Sequence, residues 1–259
     1  MDHYADPTGY ERYMGPWSGS LAPHLLSLAA LRRGERALDL GCGTGSLIEA
    51  ARSLQPGVEW VGVDPQPNAI MRARRRIASE EATFAVGRAQ TLPFADDAFD
   101  QCLSLLVLQE FEDRRSAVNE MVRVTRAGGS ISACQWNYAR MPIISSVVHA
   151  LSVLLGRPGE DQSPAPATAD DLAATWSEAG CRDVSSQQVV VTRTYEGFED
   201  LWRTLLRGST PSTLALASLN EEAHVGARRL ITERLFNGSL PTQQVTLEAE
   251  ALLVKGAAP

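Results

Sequence analysis

ALDLGCGTGSL, Ala37 to Leu47, packs three glycines into five residues between an apolar run and a segment of helical pattern. A short run with Ala37, Leu38 and Leu40 apolar, ended by glycine, reads as a buried strand, and SLIEAARSL (Ser46–Leu54) has the three-and-four apolar spacing of an amphipathic helix. Glycine supplies the positive φ angles that let a strand turn at once into a helix. The stretch therefore predicts strand, tight turn and helix, the opening unit of an α/β sheet.

The same alternation continues outward. Helix signals run from about Ser20 to Leu31, before the RALDL strand (Arg36–Leu40). VEWVGVD (Val58–Asp64) is the next strand, and Pro67 suits the first turn of the helix after it. ATFAVG (Ala82–Gly87) and FDQCLSLLV (Phe99–Val107) read as strands three and four. RSAVNEMVRVTR is an amphipathic helix that Gly128-Gly129 is expected to stop, and SISACQW (Ser130–Trp136) is a fifth strand. Strand–helix alternation with short loops predicts a doubly wound, mostly parallel sheet. Its ligand is expected beyond the carboxyl ends of the strands.

The second half is less regular. GRPGEDQSPAPAT (Gly156–Thr168) reads as a surface loop. TADDLAATWSEAG offers Thr168 as N-cap, Asp171 in the capping-box position and Gly180 as a stop. DVSSQQVVVTRTY and TQQVTLEAEALLVKG read as strands, bringing the sheet to seven. Between them Glu196–Asn237 is mostly helical, the natural place for a cap. One domain with a helical cap insertion, about 196–240, is expected over residues 1–259.

With 259 residues, 44% of them hydrophobic, the chain can build a sizeable core. A net charge of −7 speaks against non-specific nucleic-acid binding, which needs clustered cations. The basic run RARRR (Arg72–Arg76) lies in a helical pattern and reads as a solvated face. Cys42, Cys102, Cys134 and Cys181 form no CxxC pair, and no cluster of histidines and carboxylates suggests a metal. MDHYADPTGYERYMG lacks the layout of a signal peptide, and the longest apolar stretch, Pro142–Gly156, is too short for a bilayer. No membrane span and a cytoplasmic location are expected.

What the turn holds depends on its charges. The dinucleotide fingerprint is G-x-G-x-x-G, whereas Gly41, Gly43 and Gly45 stand on alternate positions, with Cys42 and Thr44 between them. Asp39, two residues before the first glycine, would repel a pyrophosphate and suits a cationic group such as an α-ammonium. Asp64, about twenty residues further on at a strand end, is placed to accept a ribose diol. A ribose acceptor, an acid for an ammonium and helix N–H donors for a carboxylate describe an adenosyl amino acid. S-Adenosylmethionine is the expected cofactor.

ALDLGCGTG, VGVDPQPNAI, GRAQTLPFADDAFD, LSLLVLQEF and VTRAGGSI stand in an order and spacing that resembles the class I S-adenosylmethionine-dependent methyltransferases. Within them the chain is similar to the ubiquinone/menaquinone-biosynthesis (type 11) group, over about Tyr10 to Trp136. TADDLAATWSEAGCRDV also looks like that group's segment before the sixth strand. The resemblance implies a Rossmann-like fold with an antiparallel last strand, an N-terminal lid within 1–32, a cofactor-binding core over 33–136 and a C-terminal part over 137–259. It implies that Gly41, Gly43 and Gly45 pass along the methionine part, that Asp64 binds ribose and that Pro65 lies beside the adenine. Arg88 stands where the family usually has an aspartate that accepts from the adenine amino group, while Ala89 retains its backbone N–H. Ser104 matches a position whose backbone faces the methionine ammonium. Gln109 occupies a place near the transferred methyl where relatives often carry histidine. Tyr13 and Met14 would close over the cofactor.

Methyl transfer needs alignment above all, and a base only if the acceptor must lose a proton. His149, Glu110 and Asp113 are the candidate bases, with a half-buried structural histidine the plainer reading for His149. Trp136, Tyr138, Phe198 and Trp202 could line an aromatic pocket or simply pack. Transfer to carbon or oxygen of a small molecule is the favoured activity. A macromolecular acceptor, RNA or protein, and a non-catalytic member of the fold are the alternatives.

Overall fold

A computed structural model describes residues 13–111, 113–156 and 168–259. Residues 1–12 of the expected N-terminal lid, His3 and Tyr10 among them, and most of the Gly156–Thr168 loop lie outside the described residues.

Helix α1 (Gly15–Ala29) precedes β1 (Arg36–Leu40), α2 (Ser46–Leu54), β2 (Glu59–Asp64), α3 (Pro67–Arg76), β3 (Ala82–Val86) and β4 (Phe99–Leu105). Then come α4 (Arg114–Val124), β5 (Thr125–Trp136), α5 (Pro142–Leu154), α6 (Ala169–Glu178) and β6 (Arg182–Tyr195). Helices α7 (Phe198–Leu206), α8 (Pro211–Ala217) and α9 (Glu221–Phe236) separate β6 from β7 (Val245–Ala257). Local chemistry accounts for several boundaries. Pro67 and Pro142 open their helices, where a missing N–H costs nothing. Thr168 and Asp171 form the expected capping box on α6.

The seven strands form one sheet in the order β3-β2-β1-β4-β5-β7-β6. Six run parallel and β7 runs against them. Leu38 lies opposite Val61 on one side and Cys102 on the other, so β1 is covered on both flanks. Its last four residues are buried, as a continuous apolar strand in a parallel sheet should be. The core gathers Leu38, Val61, Phe99, Cys102 and Ile131 beneath Val118, Met121 and Trp176. The Trp176 indole N–H donates to the Ile131 carbonyl at 3.1 Å, which fixes α6 against β5.

One expectation is corrected. Gly128-Gly129 does not stop α4, which ends at Val124, and both glycines lie inside β5. The Thr125 hydroxyl closes the helix by donating to the Met121 carbonyl at 2.7 Å. The strand then pairs Thr125 with Phe99 and jumps in register to pair Ser130 with Gln101. The glycines absorb that irregularity: Gly128 has φ 72°, and a Cβ on Gly129 would stand 2.4 Å from the Asp100 carbonyl oxygen.

The chain divides into two compact units. The larger comprises Ser18–Trp136, Ala167–Val189 and Ala251–Pro259; the smaller holds the described parts of Met1–Trp17, Asn137–Pro166 and Val190–Glu250. In the smaller unit α5 packs against α9 and α8, and α7 against α8. Among the described residues no helix is long and apolar enough to cross a membrane.

Candidate functional site

The strand order reverses between β1 and β4, where an open α/β sheet offers a crevice at its carboxyl edge. The glycine turn follows β1 there. Gly41 has φ 72°, and a Cβ on it would stand 2.5 Å from a Val107 methyl. Gly45 has φ 87°, and its Cβ would meet the end of Ile77 at 2.5 Å. Both glycines are required by shape and by backbone. At Gly43, φ 52°, a Cβ would meet nothing within 4 Å, so this part of the turn faces open space.

The turn spends its donors inward. Gly41 and Cys42 both donate their N–H to the Val63 carbonyl, at 2.8 and 3.0 Å. Gly43 N–H donates to Asp64 Oδ2 at 3.0 Å, and Gly45 N–H to the Cys42 carbonyl at 2.8 Å. A phosphate nest needs successive free N–H groups. Here four of them hold the turn to β2 and to itself.

Two acids flank the turn in different states. Asp64 accepts from the Gln66 N–H at 2.9 Å through Oδ1 and from Gly43 through Oδ2, so its carboxylate is held in place with a lone pair left on each oxygen. Burial raises its pKa, and the two N–H donors pull it back. Asp39 is 1% exposed, and its Oδ2 has no hydrogen-bond partner. Burial first, and the neighbouring Asp64 second, push its carboxyl up to about 8. A buried unpaired acid of this kind suits a cationic guest.

Across the crevice, Leu106 follows β4 with φ 61°, an uncommon conformation for a branched side chain. Its N–H donates to the Cys134 carbonyl, and its own carbonyl accepts from Gln109 Nε2, both at 2.7 Å. Gln109 therefore braces the turn, while its Oε1 stays buried without a partner. Gln135, near the end of β5, has a second buried carbonyl oxygen without a partner. Sequence reading missed Gln135, although an amide between Cys134 and Trp136 in a buried strand was a signal. The Ser104 hydroxyl donates to the Leu40 carbonyl at 3.1 Å and ties β4 to β1. Cys42 Sγ packs over Gly62, where a Cβ would come within 2.8 Å of it, and burial raises its pKa.

The structure brings Asp39, Gly41, Cys42, Gly43, Gly45, Asp64, Ser104 and Gln109 to one edge of the larger unit. Pro65 and Arg88 are exposed beside it, and Ala89 is buried in the core. The Arg88 carbonyl accepts from the Thr91 N–H at 3.1 Å. Tyr13 belongs to the smaller unit. Of the candidate bases, His149 is exposed on α5 rather than half-buried, and Glu110 is exposed. Asp113 caps α4: the Ser116 hydroxyl first, and the Ser116 N–H at 3.0 Å second, donate to its carboxylate and lower its pKa. Trp136 is buried, and Phe198 and Trp202 stack at 6.2 Å beneath Arg228, so their first role is packing. In α3, Arg74 donates to the Phe84 carbonyl and Arg76 pairs with Glu49. No group of three or more metal-ligating side chains occurs among the described residues.

The family model described as "Methyltransferase domain", type 11, matches residues 38–133. A demethylmenaquinone methyltransferase of Roseiflexus castenholzii is 32% identical over 179 residues, covering 63% of this chain and 75% of that protein. A candidate methyltransferase of Bacillus halodurans superposes with a TM-score of 0.64 at 20% identity, over 92% of this chain and 98% of the other. Phosphoethanolamine N-methyltransferase 2 of Haemonchus contortus, solved with S-adenosylmethionine, superposes with a TM-score of 0.60 at 17% identity, over 98% of this chain and 57% of that one. At such identities the two structures speak for the fold, and the sequence matches speak for the family. The chain belongs to the class I S-adenosylmethionine-dependent methyltransferases, in the type 11 group.

Proposed function

We propose that this protein transfers the methyl group of S-adenosylmethionine to carbon or oxygen of a small molecule. One observation carries the cofactor assignment: the glycine turn has spent four of its N–H donors inward, while the buried Asp39 beside it lacks a partner. The edge is rich in unsatisfied acceptors, Asp39 Oδ2 with Gln109 Oε1 and Gln135 Oε1, and therefore favours a cation over a pyrophosphate. Asp39 would hold the ammonium of the methionine moiety, and the two remaining lone pairs of Asp64 would accept the ribose diol. The open face at Gly43 would admit the chain between them.

S-Adenosylmethionine, when bound, would supply an electrophilic methyl on a sulfonium. The residues of this chain contribute position: Gly41 and Gly45 hold the turn, and Gln109 holds the loop after β4 through Leu106. Alignment of this kind lowers the barrier without a general base (several kcal/mol in favourable intramolecular reactions, roughly 7–11 at best). The net charge of −7 favours a small acceptor over a nucleic acid.

Calorimetry of the whole chain with S-adenosylmethionine and S-adenosylhomocysteine tests the cofactor. Micromolar binding is expected, and no heat at high micromolar ligand overturns the proposal. Methyl-labelled cofactor incubated with cell extract tests the acceptor. Label in the small-molecule fraction is expected; label confined to RNA or protein would replace that reading with a macromolecular one.

A further inference from the structure

The smaller unit contains a second polar site of opposite character. Arg193 and Tyr195, two apart on β6, share a face of the strand, while Thr194 between them meets the Thr246 hydroxyl at 2.9 Å. The Arg193 guanidinium lies 4.6 Å from the centroid of the Tyr195 ring and donates to the Tyr13 carbonyl at 2.8 Å. Tyr13 and Tyr195 are 0% and 1% exposed. The Tyr13 hydroxyl has no hydrogen-bond partner. The Tyr195 hydroxyl makes no hydrogen bond of full geometry either, although the Trp17 indole and Arg193 lie close enough to oppose the upward push of burial on its pKa.

A buried phenol without a partner loses its water and gains nothing, so phenylalanine would serve the packing better at both positions. What remains available is one kind of group. Burial keeps both phenols neutral, hence able to donate, and Tyr195 raises the proton affinity of Tyr13 as a close neighbour does. Arg193 carries a permanent charge and has no carboxylate partner among the described residues. Asp200, an acid that Tyr195 feels, is itself paired with Arg203 at 3.7 Å. Two hydroxyl donors and the remaining N–H groups of the guanidinium are left on one cluster, and the complementary guest is an anionic oxygen group.

We propose that Tyr13, Tyr195 and Arg193 bind a carboxylate or phosphate group. The site stands on side chains of the smaller unit alone.

The test titrates the whole chain, saturated with S-adenosylhomocysteine, with benzoate, phenyl phosphate and the neutral benzamide. One of the two anions is expected to bind at least tenfold more tightly than benzamide, and which one does distinguishes carboxylate from phosphate. Tyr195→Phe and Arg193→Lys should each weaken that anion at least fivefold and leave S-adenosylhomocysteine affinity unchanged. Tyr13→Phe should weaken the anion to a similar extent with an equal or higher melting temperature, because an orphaned hydroxyl is removed. Equal binding of benzamide, or anion affinity untouched by all three substitutions, overturns the proposal. So does a Tyr195→Phe protein that loses S-adenosylhomocysteine affinity, since the hydroxyl would then serve the cofactor. If the wild-type chain fails to bind S-adenosylhomocysteine, the cofactor reading falls, and the same titration of the free protein decides the anion site alone.

Discussion

The carboxyl edge of the larger unit and the tyrosine–arginine cluster of the smaller one are unsatisfied in opposite senses. At the first, four backbone donors of the turn are consumed and acceptors are left over: Asp39 Oδ2, Gln109 Oε1 and Gln135 Oε1. At the second, donors are left over: the Tyr13 and Tyr195 hydroxyls beside Arg193. Folding pairs nearly every buried polar atom, so a cluster of leftovers of one sign describes the ligand by complement. A third cluster shows what closure looks like. Arg228 also sits over an aromatic ring, 4.9 Å from the centroid of Phe198, but its charge is paired with Glu199. An arginine on an aromatic face is a site only when nothing else claims its charge.

Asp64→Ala should break the comparison most severely, by removing the ordered acceptor of the larger unit. S-Adenosylhomocysteine affinity should fall roughly 100-fold, the loss of about 2–3 kcal/mol for hydrogen bonds to a charged group. Calorimetry on the variant checks it, and an unchanged dissociation constant would refute the placement of the ribose.

Asp39→Asn sharpens the comparison through pH. The folded protein keeps the Asp39 proton up to about 8, whereas the unfolded chain loses it near 3.8. The stability this proton contributes is complete below pH 4, declines as pH rises and is gone above pH 8. Inside that window the decline approaches about 1.4 kcal/mol per pH unit. Denaturant melts between pH 5 and 8 should show the slope in the wild type and a flatter line in Asp39→Asn. Saturating S-adenosylhomocysteine should flatten the wild-type line as well, because its ammonium favours the ionised acid. A slope common to both proteins would remove Asp39 as its cause.

Glu199→Gln addresses the closed cluster. Its partner is a partly exposed arginine, so melting should move by less than about 1 kcal/mol. Benzoate affinity should stay as in the wild type, and a gain or loss there would mean that the two arginine clusters are not independent. Arg88→Asp is expected to do least. Arg88 is exposed and offers no acceptor, so an aspartate in its place should leave S-adenosylhomocysteine affinity equal or slightly tighter. A clear loss would show that the arginine touches the adenine.

Much of the larger unit is legible in the amino-acid sequence, because its signals are local. The first strand and the helix after it fall on Arg36–Leu40 and Ser46–Leu54 as expected: a buried apolar run, a glycine turn and a three-and-four pattern all lie within twenty residues. Thr168 and Asp171 announce their capping box in the same way. Gly128-Gly129 misleads because a glycine pair signals a helix stop and a strand bulge equally, and only the partner strand decides between them. Asp113 looks like a base because it follows a strand end; Ser116, three residues on, is the sign of a cap. The state of Asp39 is half legible, since its charge shows in the sequence and its missing partner does not. Arg193 and the Tyr13 carbonyl it reaches are 180 positions apart, so no window along the chain joins them.

Val107 leans on the bare α-carbon of Gly41 like a tongue in a groove, which couples the turn after the first strand to the loop after the fourth. Any side chain at 41 would shove the neighbouring loop outward and carry Gln109 with it. The smallest residue of the turn thus sets the reach of an amide on another strand, and the sizes allowed at 41 and 107 form a single constraint.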